Sequence, residues 1–319
     1  MSINVSAPLT RAWNRMTSAL FKPFNLHTWL VVGFTAFLAG MADGHGGSSG
    51  WRGRKNIDFG EFLGYPRRGL EWLYAHPGWF IAIVFAVILA VVIGVLFLWL
   101  SSRGKFMFLD NVVRSQAEIA KPWHEFRKEG DSLFVWRLVF GFLGFAAFAV
   151  ITVLFFISAT RIYDDNRFSP LPILWLLGLA AVYLVLGLIL GAISLALNDF
   201  VVPLMYRNRV SANHGWKLFL PLLTGHLGSF ILYALIVFAL IIGFVIAVVI
   251  AGFVTCCIGW FLLVIPYVGT VVTLPFWYWL RAFGPEFLGQ FGLEYALFPP
   301  AATPAQKQEQ SPAHSTPTV

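Results

Sequence analysis

Residues 103–137, RGKFMFLDNVVRSQAEIAKPWHEFRKEGDSLFVWR, form a charged island in the middle of a very apolar sequence. Within it Leu109, Val112 and Ile119 recur at helical spacing, and charged residues lie between them. Pro122 does not continue a helix comfortably, but it suits the first turn of a new one. The pattern predicts two short amphipathic helices that lie in a membrane interface and lead into a membrane span.

The composition places the whole chain in a membrane. Of its residues 58% are hydrophobic and only 12% are charged, whereas soluble domains carry about 25% charged residues. The formal net charge of +7 could indicate nucleic-acid binding. However, the basic residues are scattered over short loops beside apolar runs, which is typical of membrane orientation. We therefore expect membrane lipids as partners, and other membrane proteins as further candidates, but no nucleic acid.

The apolar runs predict an all-α, polytopic membrane helix bundle of about six transmembrane helices, because a span needs about 20 apolar residues. The bundle would occupy residues 1–290, as three helical hairpins that each follow a cytoplasmic amphipathic interfacial helix. Residues 299–319 are rich in Pro, Ala, Thr, Gln and Ser and are predicted to be disordered. The predicted spans are residues 26–42, 79–101, 133–159, 171–197, 229–254 and 258–280.

Two boundaries have alternatives. The first run is short for a span, and the basic residues before it make a cleaved signal peptide the competing interpretation. The turn between the last two spans is predicted at residues 255–259, with residues 266–269 as the alternative. Cys256 and Cys257 lie in the first of these turns, and two adjacent cysteines form neither a disulfide framework nor a zinc site.

Catalytic patterns are weak. Residues 46–50 match G-x-S-x-G, but that motif requires a preceding strand and a following helix, so a flexible linker explains it better. The seven histidines are isolated, and no predicted span carries a carboxylate at its middle. We therefore expect no enzymatic activity, cofactor or metal.

Three tryptophans in register indicate a possible internal repeat. Trp13, Trp123 and Trp216 each lie in an amphipathic stretch before a pair of predicted spans. Each is followed three residues later by a large apolar residue, and each pair of spans ends on a charged residue shortly before a phenylalanine. We interpret these as three units of one interfacial helix and one hairpin.

The distribution of Lys and Arg predicts the orientation. The side that holds both termini and the three amphipathic stretches collects about twice as many basic residues as the other side, so it should be cytoplasmic. Arg137 lies one turn inside the third span, and we expect its side chain to snorkel to the nearby headgroups.

Two sets of candidate residues follow. One set would contact anionic lipid headgroups from the cytoplasmic helices, and it consists of Arg114, Lys121, Arg127 and Lys128. The other would pack the fourth span closely against the fifth through small residues, and it consists of Gly187, Gly191, Gly243 and Ala247.

The motif R-G-x-F-x-F-x-D at residues 103–110, the later P-W at 122–123 and F-V-V-P at 200–203 resemble uncharacterised bacterial multi-pass membrane families. More distantly, the layout is similar to the membrane domain attached to some bacterial glycerophosphodiester phosphodiesterases. The resemblance implies a location in the bacterial cytoplasmic membrane. The acidic and histidine clusters of the hydrolase domain are not in this sequence, so it implies no phosphodiesterase activity.

These observations favour a non-enzymatic membrane protein that organises lipids or partner proteins through its basic cytoplasmic helices. The alternative is a transporter of small molecules or lipids, a class often built from repeats with broken helices.

Overall fold

A computed structural model describes residues 4–43, 69, 71–164, 170–255, 259, 263 and 265–298. The regular elements in these residues are helices, which confirms the all-α prediction. The described residues also contain a π-helical turn (Leu197–Val201) and a 3-10 turn (Gly289–Phe291). The helices are α1 (Ser6–Phe21), α2 (Leu26–Gly40), α3 (Pro77–Arg114), α4 (Ala120–Glu125), α5 (Arg127–Asp164), α6 (Pro170–Ala196), α7 (Val202–Asn208), α8 (Ala212–Gly225), α9 (Leu227–Val254), α10 (Pro266–Val272) and α11 (Leu274–Leu288).

Among the described residues, four helical stretches are long and apolar enough to cross a membrane. Large apolar side chains along them, such as Phe85 and Phe142, are more than two-thirds exposed. Such surfaces are stable in lipid and unfavourable in water. The chain is therefore a membrane protein, and the predicted spans 79–101, 133–159, 171–197 and 229–254 correspond to these stretches. They are Pro77–Arg114, Arg127–Thr160, Leu174–Asn208 and Leu227–Val254.

The first and last predicted spans are less regular. Helix α2 has 15 residues and is about 22 Å long, shorter than the roughly 30 Å of a bilayer core. In the last span, α10 and α11 are separated at Thr273. The glycine-rich linker, most of the turn with both cysteines, and the tail lie outside the described residues. The six-span count and the three-hairpin layout therefore remain predictions.

The prediction of two interfacial helices in the charged island is wrong. Helix α3 continues through the first part of the island to Arg114, and residues 101–112 are buried on all sides. The physical reason is that their polar groups have partners inside the protein. Asn111, for example, donates to the hydroxyl of Thr35 over 3.2 Å. Of the two predicted helices only the short α4 remains as a separate element.

The three amphipathic stretches are arranged alike. The residues three positions after the tryptophans, Met16, Phe126 and Phe219, are all buried. Phe126 stacks on Phe106 at the end of α3, and Phe219 stacks on Phe200 in the π-helical turn.

Helix α1 makes the corresponding contact with α11. Trp13 packs edge-on against Trp279 with ring centroids 5.2 Å apart, and Arg11 and Arg15 both pair with the buried carboxylate of Glu286. Each amphipathic stretch thus contacts the end of an apolar helix that belongs to another of the three predicted units.

Candidate functional site

The buried ends of α3, α6 and α11 meet around one cavity, which we call the central cavity, with a volume of about 210 Å³. The helices approach closely because Gly284 of α11 lies against the backbone carbonyl of Asp199. The lining is apolar on most sides and charged at these helix ends. The apolar lining residues are Ala36, Phe37, Ala39, Gly40, Phe108, Leu195, Val237, Ile241, Trp277 and Leu280, and the polar ones are Asp43, Lys105, Asn198, Asp199, Thr270 and Arg281.

Lys105 is the most buried cation of the cavity, with a side chain only 5% exposed. Its ammonium donates to the side-chain oxygen of Asn198 over 2.7 Å and forms an ion pair with Asp43. A buried ammonium needs such partners, because removing an unpaired charge from water is costly. Lys105 therefore connects α3 to the end of α2 and to the π-helical turn.

Arg281 connects the three helix ends through its guanidinium. Nη1 donates to the backbone carbonyl of Asn198 over 2.8 Å, and Nη2 donates to the backbone carbonyl of Lys105 over 2.9 Å. Nε is buried and has no hydrogen-bond partner among the described residues. The cavity wall thus contains a cationic N–H group whose hydrogen-bonding capacity is unused.

The two carboxylates that line the cavity, Asp199 and Asp43, each have partners on neighbouring helices. The hydroxyl of Tyr233, on α9, donates to the carboxylate of Asp199 over 2.9 Å. Asp43 pairs with Lys105 and, over 2.5 Å, with Arg137 of α5, which also donates to Ser101. Arg137 is therefore bound within the protein, and the expectation that it snorkels to headgroups is wrong. Among the described residues that line the cavity, two are cations and two are carboxylates.

A second polar cluster surrounds Arg103. Its guanidinium donates to both carboxylate oxygens of Asp131, over 2.8 and 2.9 Å. It also lies over the rings of Trp99 and Trp123, at 4.4 and 5.0 Å from their centroids. These cation–π contacts help a nearly buried arginine to remain charged. The cluster connects α3, α4 and α5.

A third cluster joins the ends of three helices at Glu125, the last residue of α4. Its carboxylate receives hydrogen bonds from Arg114 and from Arg209, and the latter also covers the ring of Phe126. Partial burial alone raises the pKa of Glu125, but the two guanidinium groups outweigh this effect and hold the pKa below its ordinary value.

The four residues predicted to contact lipid headgroups differ in their exposure. The side chains of Lys121 and Arg127 are 57% and 72% exposed, and Lys128 is exposed beside them. Arg114 is only 30% exposed and is paired with Asp110 and with the carboxylate of the third cluster. Three of the four cations are thus accessible, and we call Lys121, Arg127 and Lys128 the basic patch. Arg114 instead forms ion pairs within the protein.

The predicted packing of the fourth span against the fifth is not made within this chain. A Cβ atom added at Gly191 or Gly243 would meet nothing within 4 Å, and Ala247 is exposed. A Cβ at Gly187 would meet only Phe148, on α5, at 3.8 Å. In this structure α6 packs against α5, its sequence neighbour, so the small residues do not bring α6 and α9 together.

The central cavity is the feature that sequence reasoning missed. A signal for it was present in the repeat, since Arg103, Asp199 and Arg281 each precede a phenylalanine at the end of an apolar segment. The sequence indicates only that these residues end pairs of spans, whereas in the structure the last two line the cavity. The structure thus gathers charges that lie far apart in the sequence. In the part of the chain that the structure describes, no group of three His, Cys, Asp or Glu side chains forms a metal site.

The chain belongs to a family of unknown function, DUF7544, which matches residues 5–299. No curated protein and no solved structure matches it.

Proposed function

We propose that this protein is a non-enzymatic, six-span protein of the bacterial inner membrane that organises anionic lipids or partner membrane proteins, with both termini in the cytoplasm. The observation that carries the proposal is the basic patch of Lys121, Arg127 and Lys128. These exposed cations lie where α4 leads into α5, next to the apolar segments of α3 and α5. A basic residue near an anionic leaflet contributes roughly 1 kcal/mol to lipid attraction.

The test compares the lipids that co-purify with the full-length protein in a mild detergent. The triple variant Lys121→Gln, Arg127→Gln, Lys128→Gln should retain fewer anionic lipids than the wild type, and added salt should have the same effect on the wild type. The matched control is Lys121→Arg, Arg127→Lys, Lys128→Arg, which keeps the charge and should keep the lipids. Equal enrichment of anionic lipids in the glutamine variant would contradict the proposal.

A transporter is the second candidate, and irregular helices beside the central cavity favour it. The π-helical turn after α6 contributes Asn198 and Asp199 to the cavity lining. Helices α10 and α11, which also contribute lining residues, are separated at Thr273. Helix interruptions of this kind are frequent at functional sites and at transporter binding sites. Solute uptake by proteoliposomes that depends on the protein would favour this candidate over the first.

A further inference from the structure

We infer that the central cavity binds the anionic headgroup of a membrane amphiphile, either a phosphate or a carboxylate. Its first support is the unpartnered Nε of Arg281, which is buried in the wall. A buried donor without an acceptor costs about 1–3 kcal/mol, and more when the group is charged. An anionic oxygen that comes within hydrogen-bonding distance of Nε would remove that cost.

The second support is a donor of Lys105 that has no acceptor among the described residues. The charged residues in the described lining are Lys105, Arg281, Asp43 and Asp199, and Asp43 is paired both with Lys105 and with Arg137, which lies outside the lining. An ammonium has three N–H donors, and the ammonium of Lys105 uses two of them, on Asp43 and on Asn198. The remaining N–H and the guanidinium of Arg281 can both donate to an oxyanion, and charge-assisted hydrogen bonds of this kind are the strong ones.

The third support is the apolar part of the wall. Phe37, Val237 and Trp277 are among the apolar residues that line the cavity, and Ile241 adds to this lining from α9 with 36% of its surface exposed. A free phosphate or carboxylate ion would gain nothing from these side chains. An alkyl chain attached to the anion would bury apolar surface against them, at about 25 cal/mol per Å².

The experiment uses the full-length protein in a neutral detergent with dodecyl phosphate and dodecanoate as probes. We expect native mass spectrometry to find one bound probe molecule per chain and the melting temperature to rise with probe concentration. Dodecyltrimethylammonium, with the same chain and opposite charge, should not bind, and inorganic phosphate should bind at least tenfold more weakly than dodecyl phosphate. The stronger of the two anionic probes identifies the headgroup as a phosphate or a carboxylate.

Two variants on one exposed helix locate the site. Ile241→Trp fills the cavity from its exposed side and should weaken probe binding at least tenfold. Ile242→Trp, the matched control, changes a neighbouring exposed residue that does not line the cavity and should leave binding unchanged. Arg281→Gln should abolish probe binding. If this buried substitution prevents folding, the comparison of Ile241→Trp with Ile242→Trp still tests whether the probe binds in the cavity.

Equal binding by Ile241→Trp and the wild type would overturn the inference, as would equal binding of the cationic probe or of inorganic phosphate. The site is separate from the basic patch. Unchanged lipid enrichment in the patch variant would contradict the proposal for the patch and leave this inference intact, whereas failure of the probe experiment would leave the proposal for the patch intact.

Discussion

Nη1 of Arg281 donates a hydrogen bond of 2.8 Å to the backbone carbonyl of Asn198, which lies in the π-helical turn after α6. A π-helical turn displaces carbonyl groups from the regular helical pattern, and these groups then need other donors. The second guanidinium nitrogen reaches the carbonyl of Lys105 on α3. One side chain of α11 therefore holds the ends of both other helices of the cavity.

Replacing Arg281 by lysine should lower the melting temperature of the purified protein. Lysine keeps the charge but lacks the planar fork that reaches two carbonyls at once, and each lost hydrogen bond to a charged group is worth roughly 1.5–3 kcal/mol. Thermal unfolding in detergent, followed by intrinsic fluorescence, measures the effect. Arg207→Lys is the matched control, because exposed Arg207 donates to one carbonyl at the surface and should tolerate lysine. A similar melting temperature for both variants would contradict the role of Arg281.

Gly284→Ala should destabilise the protein, because the new Cβ atom would lie 2.5 Å from the backbone carbonyl oxygen of Asp199. The helices would have to separate, at a cost of about 1–3 kcal/mol. Gly191→Ala provides the comparison, since its Cβ would meet nothing within 4 Å and alanine favours a helix by up to about 1 kcal/mol over glycine. We expect a lower melting temperature for the first variant and an unchanged or higher one for the second. The reverse order would show that α6 does not contact α11 closely.

The apolar parts of the fold were predictable because lipid exposure makes a whole helix surface apolar. The exposed segment of α3 is therefore visible in the sequence without any knowledge of its neighbours. The register of the three tryptophans also gives Phe126 the position that Met16 and Phe219 have in their own stretches, and the structure buries all three. These signals are local, and local patterns are what hydropathy and periodicity report.

The prediction for the charged island is wrong because the residues that pair with its charged groups are distant in the sequence. Hydropathy treats Arg103, Lys105 and Asp110 as solvated groups, whereas their partners include Asp131, on α5, and Tyr206, on α7. A buried ion pair looks the same in a sequence as two exposed charges. The small residues of α6 and α9 do not predict which helices pack together. A pattern of small residues permits two helices to approach closely, but it does not determine which helix is the partner.

The third cluster should make stability depend on pH through Glu125. Its pKa is lower in the folded protein than the ordinary value of 4.5. Its stabilising effect is therefore complete above about pH 4.5 and is lost as the pH falls through the folded-state pKa. We expect Glu125→Gln to lower the melting temperature at neutral pH and the difference from the wild type to shrink towards pH 3.

The control for this measurement is Glu118→Gln. The carboxylate of Glu118 is 43% exposed and lies 4.0 Å from the ammonium of Lys121, and exposed pairs of this kind contribute little. This variant should therefore follow the wild type at every pH. If the difference for Glu125→Gln stays constant down to pH 3, the carboxylate is not held by the guanidinium groups.

Cys256 and Cys257 test the orientation, since they are the only cysteines of the chain. Both lie outside the described residues, in the turn predicted at residues 255–259. With six spans and a cytoplasmic amino terminus, this turn faces away from the cytoplasm. A membrane-impermeant maleimide should then label the cysteines in cells whose outer envelope alone is permeabilised. We expect free thiols, because a disulfide between adjacent cysteines strains the peptide between them.

A single cysteine at an exposed cytoplasmic position completes the orientation test. In a variant with both native cysteines replaced by serine, Lys121→Cys places a thiol in the basic patch, where the native side chain is 57% exposed. It should react only after the inner membrane is broken, because the positive-inside rule assigns the patch to the cytoplasm. If Lys121→Cys is labelled in intact inner membranes and the native cysteines are not, the chain is inverted. If both positions need a broken membrane, there are two interpretations. Either the number of spans between the two positions is even, or the turn lies at residues 266–269 and the native cysteines are buried in the fifth span.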